Sequence, residues 1–343
     1  MKRNLKWIIS LVLVLITVLT VAGCEKPKTD KSGWVTEDGI TRYQDADGNF
    51  LYRWQEIAGN TYYFLPDTGE MVTGWKQIGN NRYYFDENGA RVSGWLRRDG
   101  SAWYLDAEGR PYSGWLDWEG KRYCFGSDGK MLTGWYTEGE NRYYFLETGA
   151  MAVGEVKIDG VSSFFTSTGK YCLLTNSWHK IPDNYTWERA EFEGFQFEAS
   201  GRDSLAAFVQ ACRREGYTCY IDNTYRSRAT QQWMWDNSVS TKMAAGMTYE
   251  EAVVEAGKTL AKPGHSEHET GLAVDILGTE GMYTWMAEHC YDYGFVLRYP
   301  DNRYEITGIT YEPWHLRYVG IELAQELKGK DLSLEEYFAA LTQ

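Results

Sequence analysis

A tryptophan recurs about every 20 residues through the first half of the chain, and this period limits the folds open to it. The six positions are Trp34, Trp54, Trp75, Trp95, Trp115 and Trp135. After each tryptophan come a glycine turn, an aromatic run such as Tyr83-Tyr84-Phe85, and a second glycine turn. Aromatic side chains suit a pleated strand, and glycine supplies the positive φ of a tight turn, so each unit is predicted to be a β-hairpin. One hairpin cannot bury both of its faces, and the repeat therefore predicts an all-β solenoid of about seven stacked units over residues 33–172.

The repeat resembles the choline-binding and glucan-binding cell-wall repeats of Gram-positive surface proteins. In choline-binding members, aromatic side chains of successive hairpins form a cage around a quaternary ammonium group through cation–π interactions. The resemblance implies that the repeats bind a wall polymer, either a choline-bearing teichoic acid or a glycan, through the tryptophans of the Gly-Trp motif. These candidate ligand-binding residues are Trp75, Trp95, Trp115 and Trp135.

The chain departs from the choline-binding pattern at a second position. Members of that family usually carry a tryptophan before the tyrosine pair, and here the position holds Thr61, Arg82, Ala102, Arg122 and Arg142. An arginine would repel a choline cation, so a glycan or another wall polymer is an equal alternative. A further alternative is that the tryptophans only form the solenoid core, because alternate strand positions must be buried.

The first residues have the pattern of a targeting signal. Basic residues precede an uncharged stretch from Trp7 to Gly23, and Val21-Ala22-Gly23-Cys24 resembles a bacterial lipobox. The resemblance implies a lipoprotein signal peptide over residues 1–23, a lipidated Cys24 and a polar tether over residues 24–32. An uncleaved transmembrane helix is the alternative. Either interpretation predicts a protein outside the cytoplasm, on the extracellular face of the membrane in a Gram-positive cell wall.

The cysteines leave the disulfide framework open. A chain outside the cytoplasm can form disulfides, and five cysteines remain besides Cys24, so at least one is free or pairs between chains. Cys124 stands where sister repeats carry tyrosine, which predicts a packed free thiol. The other four allow three pairings, among which the sequence does not choose, although Cys212 and Cys219 are close enough to bridge. These four are Cys172, Cys212, Cys219 and Cys290.

The 20-residue period ends before residue 180, and residues 180–343 are predicted to form a second domain. Apolar residues at helical spacing and two capping-box patterns predict helices over 203–216, 248–257, 282–291 and after Ser333. Apolar runs predict strands over 217–222, 272–277 and 295–299. Helices and strands that mix without a strict βαβ order favour an α+β fold. The whole chain is therefore predicted to be multidomain.

All five histidines lie in this second half, which indicates a metal or acid–base site. His268 and Asp275 flank a glycine in a loop predicted to enter a strand, and His315 would supply a third ligand. Two imidazoles and a carboxylate suit a catalytic zinc ion (Zn2+) that keeps a fourth position for water. Glu312 lies three residues before His315, close enough to act as the general base on that water. The other histidines, interpreted as structural or at most as outer contacts, are His179, His289 and His265.

Two segments resemble the VanY-type zinc D-alanyl-D-alanine carboxypeptidases, within the hedgehog/D,D-peptidase group. The family pattern Ser-x-His-x-x-Gly-x-Ala-x-Asp matches Ser266 to Asp275, and the later Glu-x-x-His matches Glu312 to His315. The resemblance implies an α+β zinc peptidase domain of that group. It implies that zinc is bound by His268, Asp275 and His315, and that Glu312 is the base.

The same resemblance extends to Tyr225-Arg226-Ser227 and Gln231. It implies that Arg226 faces the scissile carbonyl oxygen or the carboxylate of the substrate. It implies weaker substrate contacts for Ser266, Tyr225 and Gln231. The chain departs from the family at Asn223, where many relatives carry serine.

Together these resemblances imply a wall-tethered lipoprotein that removes the terminal D-alanine from peptidoglycan stem peptides by one-step, zinc-dependent hydrolysis. The nearest alternative is an L,D-carboxypeptidase that trims tetrapeptides with the same site. A non-catalytic wall-binding surface protein ranks lower, because neither Glu312 nor any metal ligand is missing. A dipeptidase acting on free D-Ala-D-Ala ranks lower still, since wall-binding repeats do not suit a cytoplasmic dipeptide. The net charge of −13 argues against nucleic acid as a partner.

Overall fold

The computed structural model describes residues 29–342 of the chain. The predicted signal peptide, Cys24 and most of the predicted tether lie outside the described residues. Among the described residues, no helix combines the length and the apolar character that crossing a bilayer requires. The chain forms two compact units that divide between Tyr112 and Ser113. This boundary differs from the predicted one between the repeats, residues 33–172, and the peptidase domain, residues 180–343. The predicted domain bounds stay a prediction.

Four two-stranded antiparallel hairpins make up the first unit, as the repeat predicts. Their strands are β1 Gly33–Glu37 with β2 Ile40–Gln44, β3 Arg53–Ile57 with β4 Asn60–Phe64, β5 Gly74–Ile78 with β6 Asn81–Phe85, and β7 Gly94–Arg98 with β8 Ser101–Leu105. The β3–β4 turn shows the local cause. Ala58 and Gly59 both have positive φ, 51° and 83°, which is the two-residue turn whose twist matches that of paired strands.

Within this unit, the repeat tryptophans pack one hairpin onto the next. The Trp54 ring lies 4.9 Å from the Tyr83 ring and 5.8 Å from the Phe85 ring of the following hairpin. Trp75 contacts Trp103 in the same way, at 5.3 Å. Trp54 nevertheless keeps 36% of its surface exposed. These tryptophans therefore serve both as inter-repeat core and as aromatic surface.

The second unit begins with three further hairpins and continues into the peptidase fold. Its repeat strands are β9 Gly114–Trp118, β10 Lys121–Phe125, β11 Gly134–Glu138, β12 Asn141–Phe145, β13 Gly154–Ile158, β14 Val161–Phe165 and β15 Tyr171–Cys172. The remaining strands are β16 Arg189–Phe192, β17 Phe195–Glu198, β18 Cys219–Asn223, β19 Ala273–Gly278, β20 Phe295–Tyr299 and β21 Glu312–Tyr318. The helices are α1 Arg202–Arg214, α2 Arg228–Ala244, α3 Tyr249–Gly257, α4 Met282–His289, α5 Tyr304–Thr307, α6 Ile321–Leu327 and α7 Leu334–Leu341. Single 3-10 turns span Ala199–Gly201, Glu267–Thr270 and Cys290–Tyr293.

The last hairpin packs directly against the C-terminal helix. The Phe164 ring lies 5.3 Å from the Phe338 ring of α7, and the backbone N–H of Ser167 donates to the Tyr337 hydroxyl at 3.0 Å. Both aromatic residues of α7 are buried. This packing explains why the final repeats belong to the same compact unit as the peptidase fold.

An antiparallel sheet in the order β18-β19-β21-β20 forms the centre of the peptidase fold. Helix α1 covers one face, and its Leu205, Phe208 and Val209 are fully buried together with Val274 and Leu316 of the sheet. The predicted α1, α3, α4 and α7 helices are present, both capping boxes form, and β20 has the predicted bounds. The predicted α+β class is confirmed.

None of the five cysteines among the described residues forms a disulfide. Cys124 is buried and free, as predicted. Cys212 and Cys219, the pair close enough to bridge, are free and buried as well. Burial raises the pKa of the Cys212 thiol to about 12, so the thiolate form required for exchange is scarce near neutral pH.

Candidate metal centre

Two of the candidate ligands lie opposite each other on the two central strands. Strands β19 and β21 are antiparallel neighbours, and their register pairs Asp275 with His315. Directly opposed residues in such a ladder have Cβ atoms about 4.5–5.5 Å apart, which is close enough for their side chains to meet. The Nδ1 atom of His315 lies 3.1 Å from Oδ1 of Asp275.

A 3-10 turn brings the third candidate to the same point. His268 lies in the turn Glu267–Thr270, which ends at Gly271 with a φ of +75°. A Cβ atom at Gly271 would lie 2.7 Å from the Trp187 ring, so both the backbone angle and the close approach require glycine. The Nδ1–H of His268 donates to the carbonyl of Thr224, which leaves Nε2 as the free nitrogen. That Nε2 lies 3.1 Å from Oδ2 of Asp275.

The three side chains fit a divalent cation. One ligand atom from each of His268, Asp275 and His315 lies within 4.8 Å of the other two. Both histidines are almost completely buried, and Asp275 is 9% exposed. His268 Nε2 and Asp275 Oδ1 have no hydrogen-bond partner among the described residues. An unsatisfied buried polar group costs about 1–3 kcal/mol of stability. Zinc bound by the two imidazoles and the carboxylate would remove this cost, because each unpaired atom would become a metal ligand.

The pKa values of these ligands are shifted by burial and by each other. Burial opposes ionisation of Asp275, but His268 and His315 hold its pKa well below the ordinary range. Burial lowers the pKa of His268, so this imidazole is neutral near pH 7. Burial also acts to lower the pKa of His315, but the neighbouring carboxylates of Asp275 and Glu267 raise it to about 9. The free protein therefore holds one proton at a ligand position near neutral pH.

Glu312 lies at the start of β21 beside this cluster. Its Oε2 is 3.6 Å from Nδ1 of His315. Burial raises the pKa of Glu312 to about 7. A carboxyl group with a pKa near the working pH can both accept and return a proton, which is the property that general acid–base catalysis needs. Tyr299, which sequence reasoning missed, opposes Glu312 in the β20–β21 register and packs its ring 4.8 Å from that of His315.

Arg226 follows β18 and lies beside Asp275. Its Nη2 is 3.7 Å from Oδ2 of Asp275, and its backbone N–H donates to the carbonyl of His268 at 3.1 Å. Its Nη1 donates to Oε1 of Gln231 at 3.0 Å. The Nε atom is buried and has no partner among the described residues. Arg226 thus presents a positive, unsatisfied donor next to the candidate metal ligands.

Gln231 is held by hydrogen bonds within the protein. It is fully buried, and both ends of its amide are used within the protein. Oε1 accepts from Arg226, and Nε2 donates to the carbonyl of Ala261 at 2.7 Å. The side chain therefore braces Arg226, and its predicted contact with substrate stays a prediction.

The other two residues predicted to contact substrate, Tyr225 and Ser266, are near neighbours in sequence of Arg226 and His268. Tyr225 immediately precedes Arg226, and its half-buried ring lies 5.0 Å from the Trp187 ring, with the Arg189 guanidinium 4.8 Å from its centre. Ser266 begins the 3-10 turn that carries His268 and is buried.

The remaining histidines have structural partners. His179 Nδ1 bonds to the Asn176 side chain, and His265 Nδ1 donates to the Asn176 carbonyl. His289 Nδ1 donates to the carbonyl of Trp285, and the two rings stack at 4.7 Å.

Sequence reasoning also missed a buried charge cluster behind the site. Glu267, between the motif residues Ser266 and His268, accepts from Arg298 Nε at 2.8 Å and from Arg317 Nη1 at 2.7 Å. All three charged side chains are buried. Burial opposes ionisation of Glu267, but Arg298 and Arg317 hold its pKa well below the ordinary range. The sequence held one signal of this cluster: Arg317 lies two residues after His315 and therefore on the same face of a buried strand, where an arginine needs a buried carboxylate partner.

In the repeats, the chain's own arginines lie over the candidate tryptophans. Cζ of Arg82 is 4.1 Å from the Trp75 ring centre, and Cζ of Arg142 is 4.4 Å from that of Trp135. More distant guanidinium groups, 5.6 Å and 5.7 Å away, lie over Trp95 and Trp115. Each candidate tryptophan therefore already has a cation of the protein over its ring.

Comparison with known proteins assigns the C-terminal fold. Residues 195–321 match the family model described as VanY: D-alanyl-D-alanine carboxypeptidase. A putative carboxypeptidase of Bacillus subtilis, YodJ, is 33% identical over 205 residues, which cover 53% of this chain and 71% of the relative. The chain belongs to the VanY D-alanyl-D-alanine carboxypeptidase family.

Other VanY relatives match the same region. A D-alanyl-D-alanine carboxypeptidase of Enterococcus faecalis is 38% identical over 173 residues, 48% of this chain and 64% of that relative. A crystal structure described as a vancomycin resistance D,D-pentapeptidase VanY mutant in complex with Zn(II) is 37% identical, with a TM-score of 0.46, and covers 48% of this chain and 97% of its own.

The repeats match two further family models. Residues 72–109 and 112–155 match a choline-binding repeat, and residues 53–71 match a putative cell wall binding repeat. Wall-binding repeats joined to a VanY domain indicate a cell-wall-associated extracellular protein.

Proposed function

We propose that this VanY-family protein is a zinc carboxypeptidase that hydrolyses the terminal D-Ala from peptidoglycan stem peptides. One observation carries the proposal: three ligand atoms of His268, Asp275 and His315 converge, with the carboxyl group of Glu312 beside His315 and the guanidinium of Arg226 beside Asp275. This arrangement combines a cation site, a base and an oxyanion partner, which together suit hydrolysis of an amide bond.

The metal would be held by His268 Nε2, His315 Nδ1 and Asp275. When bound, zinc supplies Lewis-acid chemistry and lowers the pKa of water towards 7. Glu312 takes a proton from the attacking water and returns it to the amine nitrogen of the departing D-alanine as the peptide bond breaks. Arg226 stabilises the scissile carbonyl oxygen, or holds the terminal carboxylate, with its permanent charge. Hydrolysis in one step forms no acyl-enzyme, so β-lactams are not expected to block it.

The test is product analysis on defined peptides. The purified protein, from residue 25 onward, is incubated with a muramyl pentapeptide and separately with a tetrapeptide, with and without a chelator. Loss of one alanine from the pentapeptide, abolished by the chelator, supports the D,D activity. Cleavage restricted to the tetrapeptide assigns the L,D activity to the same site. No change in mass for either peptide, with zinc bound to the folded protein, contradicts both.

Zinc affinity is expected to rise with pH. His315, with a pKa of about 9, must lose its proton to bind the metal, whereas the lowered pKa values of His268 and Asp275 leave these ligands already deprotonated at pH 7. One proton displaced per zinc predicts an affinity gain of about tenfold per pH unit from pH 7 to 9, followed by a plateau. Competition with a chromophoric chelator at several pH values measures this slope. If the zinc affinity does not change between pH 7 and pH 9, the assignment of His315 as a metal ligand is contradicted.

For the repeats we propose a wall glycan, and not a choline-bearing polymer, as the ligand. A guanidinium 4.1 Å from the Trp75 ring would meet a quaternary ammonium at the same aromatic face. Two unit charges about 4 Å apart repel by about 1–4 kcal/mol at a protein surface, which offsets the cation–π gain.

Retention on a choline matrix tests this proposal. We expect the protein to pass through, and the double variant Arg82→Trp and Arg142→Trp to be retained and then eluted by free choline. Arg110→Trp, which changes an exposed arginine outside the Gly-Trp sites, is the matched control and should pass through. Retention of the unchanged protein contradicts the glycan assignment.

We further propose that Cys24 is lipidated and holds the protein at the extracellular membrane surface. Anchoring beside the wall, together with the repeats, would raise the effective concentration of stem peptides at the site. Mass analysis of the N-terminal peptide from the membrane fraction tests this, since an unmodified Cys24 or an intact residue 1–23 segment contradicts it.

A further inference from the structure

The segment that follows the last hairpin reaches two buried arginines of the peptidase fold. We call residues 173–176 the junction segment; all four are buried. The carbonyl of Leu173 accepts from Nη2 of Arg317 at 2.6 Å, and the carbonyl of Thr175 accepts from Nη2 of Arg298 at 3.4 Å. The VanY family model begins at residue 195, so this segment lies outside the family match.

Asn176 links the junction segment to the same arginines through an acidic side chain. Its Nδ2 donates to Oε1 of Glu335 at 2.9 Å. Arg298 donates to both oxygens of Glu335, at 3.0 Å and 2.6 Å. Arg298 is thus held on one side by the junction segment and on another by a carboxylate that the junction segment also binds.

Both arginines then converge on one oxygen of Glu267. Arg298 and Arg317 donate to its Oε1, which leaves Oε2 facing away from them. That Oε2 lies 3.6 Å from Nε2 of His315, and neither atom has a hydrogen-bond partner among the described residues. Since Nδ1 of His315 faces Asp275, its Nε2–H is directed at Glu267. A carboxylate behind a metal-binding histidine fixes the ring orientation and raises ligand basicity.

We propose that Glu267 positions His315 for metal binding, and that the junction segment holds Glu267 in place through Arg298 and Arg317. The inference rests on the proposed zinc site, and it makes the segment that follows the repeat array a support of that site. Glu267 is a positioning residue, because it acts on the metal only through His315.

Zinc affinity and the visible absorption spectrum of the cobalt-loaded protein test the first half. We expect Glu267→Gln in the full chain to weaken zinc binding about 10–100-fold and to alter the cobalt spectrum, because the ring of His315 loses its charged partner. The matched control is Glu269→Gln. Glu269 lies on the same 3-10 turn and is buried, but it bonds to Arg228 and to the N–H of Gly264 and does not face His315. The control should leave both readouts unchanged.

Circular dichroism verifies folding of each variant. If Glu267→Gln does not fold, Glu267→Asp, which keeps the charge but shortens the side chain, decides by the same two readouts. If the folded variant has the same zinc affinity and the same cobalt spectrum as the unchanged protein, the proposed role of Glu267 is overturned.

The second half is tested from the junction segment. Asn176→Ala removes the bond to Glu335 and should weaken zinc binding several-fold. Thr168→Ala breaks a different contact between the last repeat and the peptidase fold, the hydroxyl donation to Glu322 at 2.8 Å, and should not change it. Equal affinities in the two variants overturn the role of the junction segment. A protein that binds zinc normally but cleaves no stem peptide contradicts the proposed function and leaves this inference intact.

Discussion

Replacing Glu312 by glutamine should lower kcat on a stem pentapeptide by a factor of about 10²–10⁴, the usual contribution of a positioned general base. Glutamine keeps the shape of the side chain but cannot accept the proton of the attacking water. Glu312 is not among the three converging ligand atoms, so the zinc content of the variant should equal that of the unchanged protein. Steady-state kinetics with metal analysis of the same sample measures both.

Glu305→Gln provides the matched control for this substitution. Glu305 lies on the neighbouring helix α5, outside the metal centre, and its replacement should leave kcat unchanged. Retention of full activity in Glu312→Gln, with zinc bound, would assign the base to another group and contradict the mechanism proposed above.

Replacing Arg298 by alanine should lower the free energy of unfolding of the peptidase fold by about 3–5 kcal/mol, the range measured when one partner of a buried ion pair is removed. Arg298 is 1% exposed, and its loss leaves the buried carboxylate of Glu267 and the partly buried carboxylate of Glu335 without their shared cation. Calorimetric unfolding of the full chain measures the effect as a lower transition temperature.

Arg213→Ala is the control for burial. Arg213 also pairs with a carboxylate, that of Glu193, but the two side chains are 38% and 37% exposed. Exposed pairs contribute about 0.2–1 kcal/mol, so this variant should unfold close to the unchanged protein. Equal destabilisation by the two substitutions would contradict the structural importance of the buried cluster.

The sequence predicts most of the repeat array and the elements of the peptidase fold whose apolar residues are periodic. Strand β20 and helix α1 belong to this group. Helix α1 buries only apolar residues, and β20 buries Phe295, Val296 and Tyr299 besides Arg298. Helix α2 was not predicted, although it is 17 residues long. Its buried face carries only Gln231, Trp235 and Val239, so the apolar stripe is too thin to recognise.

Strand β21 and the charge cluster were missed for a related reason. The buried positions of β21 include His315 and Arg317, so the usual alternation of apolar and polar residues is absent. Glu267 bonds to Arg298 and Arg317, which lie 31 and 50 residues later in the chain. Local patterns carry no information about such distant partners. The motif residues, in contrast, lie on two short segments whose ligand types and resemblance to the VanY family indicate one site.

The packing of the hairpins bears on how such a chain can change in evolution. Trp34 meets Tyr62 and Phe64 of the next hairpin, and Trp54 meets the same positions, Tyr83 and Phe85, of the hairpin after it. Recombination that duplicates or deletes one such unit would therefore regenerate an intact interface, and the number of early repeats can drift between lineages. The final hairpin does not share this freedom, since its deletion would remove Phe164 from α7. We expect repeat number to vary at the start of the array and to stay fixed at its end.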